Sequence, residues 1–87
     1  MHLHILNSTA SLSRCQSSIS DTDSIILIED AVVLSASIPQ ILSENITVYA
    51  LTDDLKRRGI SAPNSIKEIC FTQFVDLCAA HAQCLSW

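Results

Sequence analysis

The sequence contains almost no glycine, and this scarcity argues against several kinds of ligand site. The 87 residues include a single glycine, Gly59, whereas loops that cradle phosphate need several glycines to bring backbone amides onto the anion. A Gly-x-Ser-x-Gly sequence is also missing, which argues against the nucleophile elbow of an α/β-hydrolase. We therefore predict no nucleotide cofactor and no serine-hydrolase chemistry.

Cationic residues are also scarce. Five Lys and Arg stand against nine Asp and Glu, and the formal net charge is -4. Proteins that bind nucleic acid draw much of their affinity from cations that meet phosphates. The one cationic cluster is Lys56, Arg57 and Arg58. We predict no direct binding of RNA or DNA.

Long apolar runs are missing as well. No run reaches the roughly 20 residues that a membrane-spanning helix needs, and residues 1–7 show no cationic start of a secretory signal. The four cysteines form no paired framework, which indicates reduced thiols in a cytoplasmic protein. The sequence therefore predicts cytoplasmic localisation without a membrane anchor.

What the chain does contain is a series of short apolar runs, since 48% of its residues are hydrophobic. Residues 24–28 are almost entirely apolar, which is typical of a parallel strand buried on both faces. Residues 66–71 are more polar and suit an edge strand. The predicted strands are residues 2–6, 24–28, 46–51 and 66–71.

The segments between these runs have helical patterns. In order of decreasing strength, we assign helices to residues 52–59, 72–82, 31–43 and 8–19. Thr52 is a candidate N-cap of the first of these helices, and Gly59 would end it in a left-handed conformation. The helix at 31–43 is predicted to restart near Ser37, which would place Pro39 in the first turn of the new helix. Alternating strands and helices predict one α/β domain over residues 1–87, in which right-handed crossovers connect a mainly parallel sheet of four to five strands.

Two polar clusters are candidates for a site. Glu29 and Asp30 follow the second strand, and ligands bind at the carboxyl ends of parallel strands; alternatively, Asp30 is the N-cap of the next helix. Cys78, His81 and Cys84 do not all face one point on a helix, so we predict no metal site and no cofactor.

Cys15 differs from the other cysteines because its neighbours are polar. The adjacent Arg14 would favour the thiolate, which is the reactive form. Cys15 is therefore the candidate catalytic thiol and is expected to be the most reactive of the four, whereas Cys70 lies within a strand pattern and is expected to be inert. The alternative is an incidental surface cysteine.

Three blocks of the sequence resemble the TusB/DsrH family. The first is a strand that closes on an acidic pair, the second runs from a strand to Gly59, and the third is the C-terminal helix with His81 and a terminal Trp87. In sequence they read DSIILIED at 23–30, VYALTDDLKRRG at 48–59 and TQFVDL at 72–77.

The resemblance implies a flavodoxin-like three-layer fold and assembly with TusC- and TusD-like subunits into a heterohexamer. That complex passes persulfide sulfur toward 2-thiolation of the wobble uridine of tRNA, and its main relay cysteine lies on the TusD subunit. Some members carry a cysteine eight residues before the aspartate that opens the second strand. Cys15 precedes Asp23 by that interval, so the resemblance makes Cys15 a candidate persulfide thiol.

The chain departs from the family near the predicted crevice. The segment between Asn7 and Cys15 is shorter than usual, and Ala31 stands where members often have glycine. We therefore predict a mainly structural, non-catalytic subunit. The alternatives are a DsrH-type subunit in dissimilatory sulfur oxidation, a stand-alone thiol protein that uses Cys15, and a homo-oligomeric interaction domain. Trp87 is a candidate interface anchor, unless it caps the core of its own chain.

Overall fold

The computed structural model describes residues 2–87 and is built on a five-stranded sheet. Every pair of neighbouring strands is parallel, and the order across the sheet is β4-β3-β2-β1-β5. The strands are β1 (His2–Leu6), β2 (Ser24–Leu27), β3 (Thr47–Leu51), β4 (Ile66–Ile69) and β5 (Gln83–Ser86). The predicted α/β class and parallel sheet are therefore confirmed.

The connections between strands are short helices. They are α1 (Ser11–Cys15) with a 3-10 turn at Gln16–Ser18, a 3-10 helix at Glu29–Ala36, α2 (Ile38–Ile41), α3 (Thr52–Arg57) and α4 (Phe71–Ala80). The predicted second start near Ser37 is confirmed, with Pro39 in the first turn of α2. Within residues 2–87, none of the helices combines the length and the apolar character that a membrane crossing requires.

The strand order places the helices in two layers around the sheet. From β1 to β4 each strand is added on the same side of the previous one, so right-handed crossovers put these connections on one face. The chain then returns from β4 across the sheet to β5, and α4 covers the opposite face. This is the expected three-layer arrangement, although the strand order differs from that of flavodoxin.

The core is divided between the two faces. The larger cluster includes Leu6, Leu27 and Val32 and lies under α1, the 3-10 helix, α2 and α3. The smaller cluster is formed by Leu3, Ile26 and Ile69 and lies under α4. All four residues of β2 are buried, which agrees with its apolar sequence and its central position.

Several predicted boundaries were wrong. Strand β4 ends at Ile69, and the chain turns directly into α4. The C-terminal helix ends at Ala80, two residues before the predicted end, and residues 83–86, which were assigned to no element, form the fifth strand. Thr52 is not an N-cap, because it is the first helical residue of α3 and its hydroxyl donates to the carbonyl oxygen of Ile69 at 3.1 Å. Gly59 has the predicted left-handed conformation, with φ +63°.

Candidate functional site

A crevice opens at the carboxyl ends of β2 and β3, where α3 and α4 begin. Open α/β sheets bind ligands at this edge, and the acidic pair of the sequence lies here. The crevice has a volume of about 270 Å³ and is lined by Ile28, Glu29, Leu51, Asp53, Asp54, Arg57, Phe71 and Phe74. Its lining therefore combines four apolar side chains with three carboxylates and one guanidinium.

Glu29 has an unusual backbone conformation at the edge of this crevice. Its φ is +51°, a left-handed value that residues other than glycine rarely adopt and that costs on the order of 1–3 kcal/mol. The main-chain N–H of Glu29 donates to Oδ2 of Asp54 at 2.8 Å. The sharp turn out of β2 is thus held by a carboxylate on α3.

Asp54 forms ion pairs with two arginines at the crevice. It is only 6% exposed, and its Oδ1 lies 3.3 Å from Nη1 of Arg57 and 3.7 Å from Nη1 of Arg58. Arg58 also bridges to Asp30 at 2.7 Å. Asp30 is therefore an ion-pair partner of Arg58 and not an N-cap, because it is the second residue of the 3-10 helix, whose start has no side-chain cap.

The charged side chains beside the crevice form ion pairs with one another and are therefore less available to bind a ligand. Two cations meet two carboxylates around α3, so the network fixes the turn after β2 against α3. The bridge from Arg58 to Asp30 spans 28 residues and has no local signal in the sequence. Among the residues that line the crevice there is no thiol, hydroxyl or imidazole, so those lining side chains supply no sulfur nucleophile.

Cys15 lies elsewhere and is not accessible. Its side chain is fully buried in the larger core cluster, and burial raises the pKa of its thiol, although a backbone hydrogen bond partly opposes this effect. The prediction of an accessible, readily ionised thiol at Cys15 is therefore wrong. The helical spacing of Leu12, Cys15 and Ile19 was the signal for an inward-facing cysteine. A persulfide role for Cys15 stays an untested prediction.

The exposed thiols lie on the other side of the sheet. Cys70, which was expected to be inert inside a strand, is exposed and immediately precedes α4. Its main-chain N–H donates to Oε1 of Gln73 at 2.9 Å, which satisfies one free amide at the helix start. Cys84 is also exposed, and Cys78 is half-buried.

A buried polar network connects the first and last residues of the described chain. His4 is fully buried, and its Nε2 lies 2.8 Å from Oδ2 of Asp23. Nε1 of Trp87 donates to Nδ1 of His4 at 3.1 Å, and the two rings stack with centroids 6.1 Å apart. Because Nδ1 accepts a hydrogen bond, Nε2 carries the proton and donates to Asp23.

Trp87 therefore packs on its own chain. It contacts the larger core cluster, its main-chain N–H donates to the carbonyl oxygen of Ile5, and its main-chain oxygen accepts from the hydroxyl of Ser11 at 2.8 Å. These contacts favour the alternative in which Trp87 caps this core. Its role as an interface anchor stays a prediction.

We predict that Trp87→Phe destabilises the chain by about 1–2 kcal/mol, because the buried Nδ1 of His4 loses its donor while ring stacking is retained. Urea unfolding should show a lower midpoint with an unchanged slope. Phe74→Leu, an apolar change of a partly buried side chain away from this network, is a control for the loss of packing volume. An unchanged midpoint for Trp87→Phe would show that the bond between Trp87 and His4 contributes nothing.

Comparison with known proteins gives one family and several relatives. The family model described as "DsrH like protein" matches residues 7–84. TusB of Buchnera aphidicola subsp. Baizongia pistaciae is 38% identical over 72 residues and TusB of Serratia proteamaculans 34% over 71, each match covering 75% of both chains. TusB of Pectobacterium parmentieri is 29% identical over 94 aligned positions, which cover 98% of this chain and 99% of that one.

One solved structure is similar over the whole chain. The crystal structure of the ychN protein from E. coli superimposes with a TM-score of 0.72 and covers 100% of this chain and 99% of its own. The sequence identity is 15%, so this likeness shows a shared fold and carries no statement about activity.

Proposed function

The chain belongs to the DsrH family, and from this premise we propose that it is a TusB-type subunit of a sulfur-relay complex. In this proposal the complex passes persulfide sulfur toward 2-thiolation of the wobble uridine of tRNA in the cytoplasm, and this chain contributes structure more than chemistry. The observation that carries the proposal is the family match over residues 7–84, together with curated TusB relatives.

The crevice supports a structural role. A sulfur carrier needs an accessible thiolate, whereas none of the residues that line this crevice is a cysteine. Cys15 is enclosed in the core, and burial raises the pKa of its thiol. These features also disfavour the alternative in which the chain is a stand-alone thiol protein that uses Cys15.

The α4 face supports assembly with other subunits. A single helix covers this side of the five-stranded sheet, and none of its residues is fully buried. Phe71 is 64% exposed and Val75 is 53% exposed, one helical turn apart on the same side of α4. Contiguous exposed apolar surface is typical of protein–protein interaction sites. We propose that it contacts the sister subunits.

Co-expression tests the proposal directly. The chain would carry an affinity tag and be produced with the TusC- and TusD-like proteins encoded in the same genome. We expect all three to copurify, and we expect native mass spectrometry to find two copies of each in one particle. A tagged chain that is recovered as a monomer or a homo-oligomer in the presence of both proteins would contradict the assembly.

Deletion of the gene tests the pathway separately. We expect 2-thiouridine derivatives to disappear from hydrolysed tRNA when the nucleosides are measured by mass spectrometry, and we expect a plasmid copy to restore them. If the complex forms but tRNA thiolation is unchanged, the chain serves another sulfur pathway, and the DsrH-type role in sulfur oxidation would replace this proposal.

A further inference from the structure

Two cysteines meet where α4 turns into β5. Cys78 lies in the last turn of α4, the helix ends at Ala80, and the chain reverses so that Cys84 enters β5. The register of the sheet pairs Cys84 with Leu3. Because Leu3 belongs to the core cluster beneath α4, as does Cys78, strand alternation directs the Cys84 side chain to the face that α4 covers.

The Cys84 side chain contacts the backbone of Cys78. Sγ of Cys84 donates to the carbonyl oxygen of Cys78 at 3.6 Å. Burial raises the pKa of the Cys78 thiol most, and a hydrogen bond and an electrostatic interaction with the Cys84 side chain raise it further. Cys84 is exposed whereas Cys78 is half-buried, so solvent and reagents reach Cys84 first. The exposed Cys84 thiol therefore lies beside the residue that carries the less accessible Cys78 thiol.

We propose that Cys78 and Cys84 form a thiol–disulfide exchange site whose co-substrate is a low-molecular-weight disulfide. The Cys84 thiolate attacks the disulfide, one sulfur–sulfur bond breaks, and one small thiolate leaves and takes up a proton. The Cys78 thiolate then attacks the Cys84 sulfur of the mixed disulfide and expels the second small thiol. Two electrons pass from the protein to the small disulfide, which leaves as two thiols, and an intramolecular disulfide remains.

The disulfide between Cys78 and Cys84 would link an edge strand of the sheet covalently to α4. Strand β5 is the edge strand beside β1, and three of its four residues are exposed. A bond between Cys78 and Cys84 would tie this strand to α4 through a short ring, so it would restrain local opening at this edge. Oxidation would therefore act on the face that we propose for subunit contact.

Glutathione disulfide is a suitable probe, and a Cys70→Ser background simplifies the measurement. Cleavage after Lys67 then yields a peptide, residues 68–87, whose cysteines are Cys78 and Cys84 alone. We expect this peptide to lose two hydrogen atoms in mass, to resist fragmentation between the two cysteines, and to regain both properties after reduction. Cys15, which is buried, should stay unmodified in its own peptide.

Single serine variants in the same background test the order of attack. Cys78→Ser should trap glutathione on Cys84, whereas Cys84→Ser should trap roughly tenfold less on Cys78, because the thiolate is the attacking form and Cys78 is shielded. Two results would overturn the proposal: stable glutathione adducts on both cysteines without an internal bond, or equal trapping in the two variants. Neither measurement requires a partner subunit, so this site stands or fails separately from the relay function.

Discussion

Replacing Asp23 by alanine is expected to leave a large fraction of the protein molecules unfolded at neutral pH. Asp23 is 4% exposed and accepts three hydrogen bonds, from Nε2 of His4 at 2.8 Å and from the main-chain N–H groups of His2 at 3.0 Å and Ser20 at 3.1 Å. Alanine leaves these donors without an acceptor. A buried donor left without an acceptor typically costs about 1–3 kcal/mol, and three donors are affected here.

That cost is large for a chain of this length. Stabilities of roughly 0.05–0.15 kcal/mol per residue predict a total on the order of 4–13 kcal/mol for 87 residues. Urea unfolding followed by circular dichroism should therefore show either a much lower midpoint or no cooperative transition for Asp23→Ala. Asp21→Ala is the matched control, because Asp21 is exposed two residues away, and it should change stability by less than about 0.5 kcal/mol.

The same carboxylate predicts how stability depends on pH. Burial would raise the pKa of Asp23, but hydrogen bonds from His4, Ser20 and His2 outweigh that effect and hold the pKa below its usual range. A carboxylate with a depressed pKa in the folded state stabilises the protein above its unfolded pKa of about 3.9, and this stability is lost as the pH falls further. We expect the free energy of unfolding of Asp23→Asn to depend less on pH below pH 4 than that of the unchanged chain. If the free energies of both proteins fall with the same slope, Asp23 does not have this role.

Much of the fold could be predicted because local and global signals agree. The apolar run of β2 is buried at all four positions, which is where the central strand of a parallel sheet must be. Gly59 adopts the left-handed conformation that ends a helix. In contrast, the helix-like spacing of Leu77, His81 and Leu85, four residues apart, continues across the junction between α4 and β5. No glycine or proline marks the end of this helix, and the pairing of β5 with β1 joins residues about 80 positions apart in sequence.

The site was harder to predict because it depends on contacts that are distant in sequence. The polar neighbours of Cys15 suggested exposure, but adjacent residues on a helix point in different directions, and Ser11 and Leu12 are buried with it. The bridge from Asp30 to Arg58 and the bond from Trp87 to His4 span 28 and 83 residues. Composition and periodicity contain no information about such pairs. The family resemblance was therefore the only part of the sequence analysis that indicated a function in sulfur relay.

The α4 face provides the second large effect. We expect the double variant Phe71→Glu and Val75→Glu to lose affinity for the sister subunits while the chain itself stays folded. Both side chains are more than half exposed, so their replacement removes little from the core. If each is an interface hot spot worth about 2 kcal/mol, the two together weaken the complex by roughly 1000-fold. Copurification with the sister subunits and titration by calorimetry would measure this loss.

The opposite face supplies the matched control for this experiment. Val33 is 47% exposed and Ile41 is 44% exposed; they lie on the 3-10 helix after β2 and on α2, which cover the other side of the sheet. Val33→Glu with Ile41→Glu adds the same two charges and removes similar apolar surface. If the contact is made by α4, this control keeps the complex, since only surface distant from the interface has changed. A complex that survives the α4 variant and is lost in the control would place the interface on the face of α2 instead.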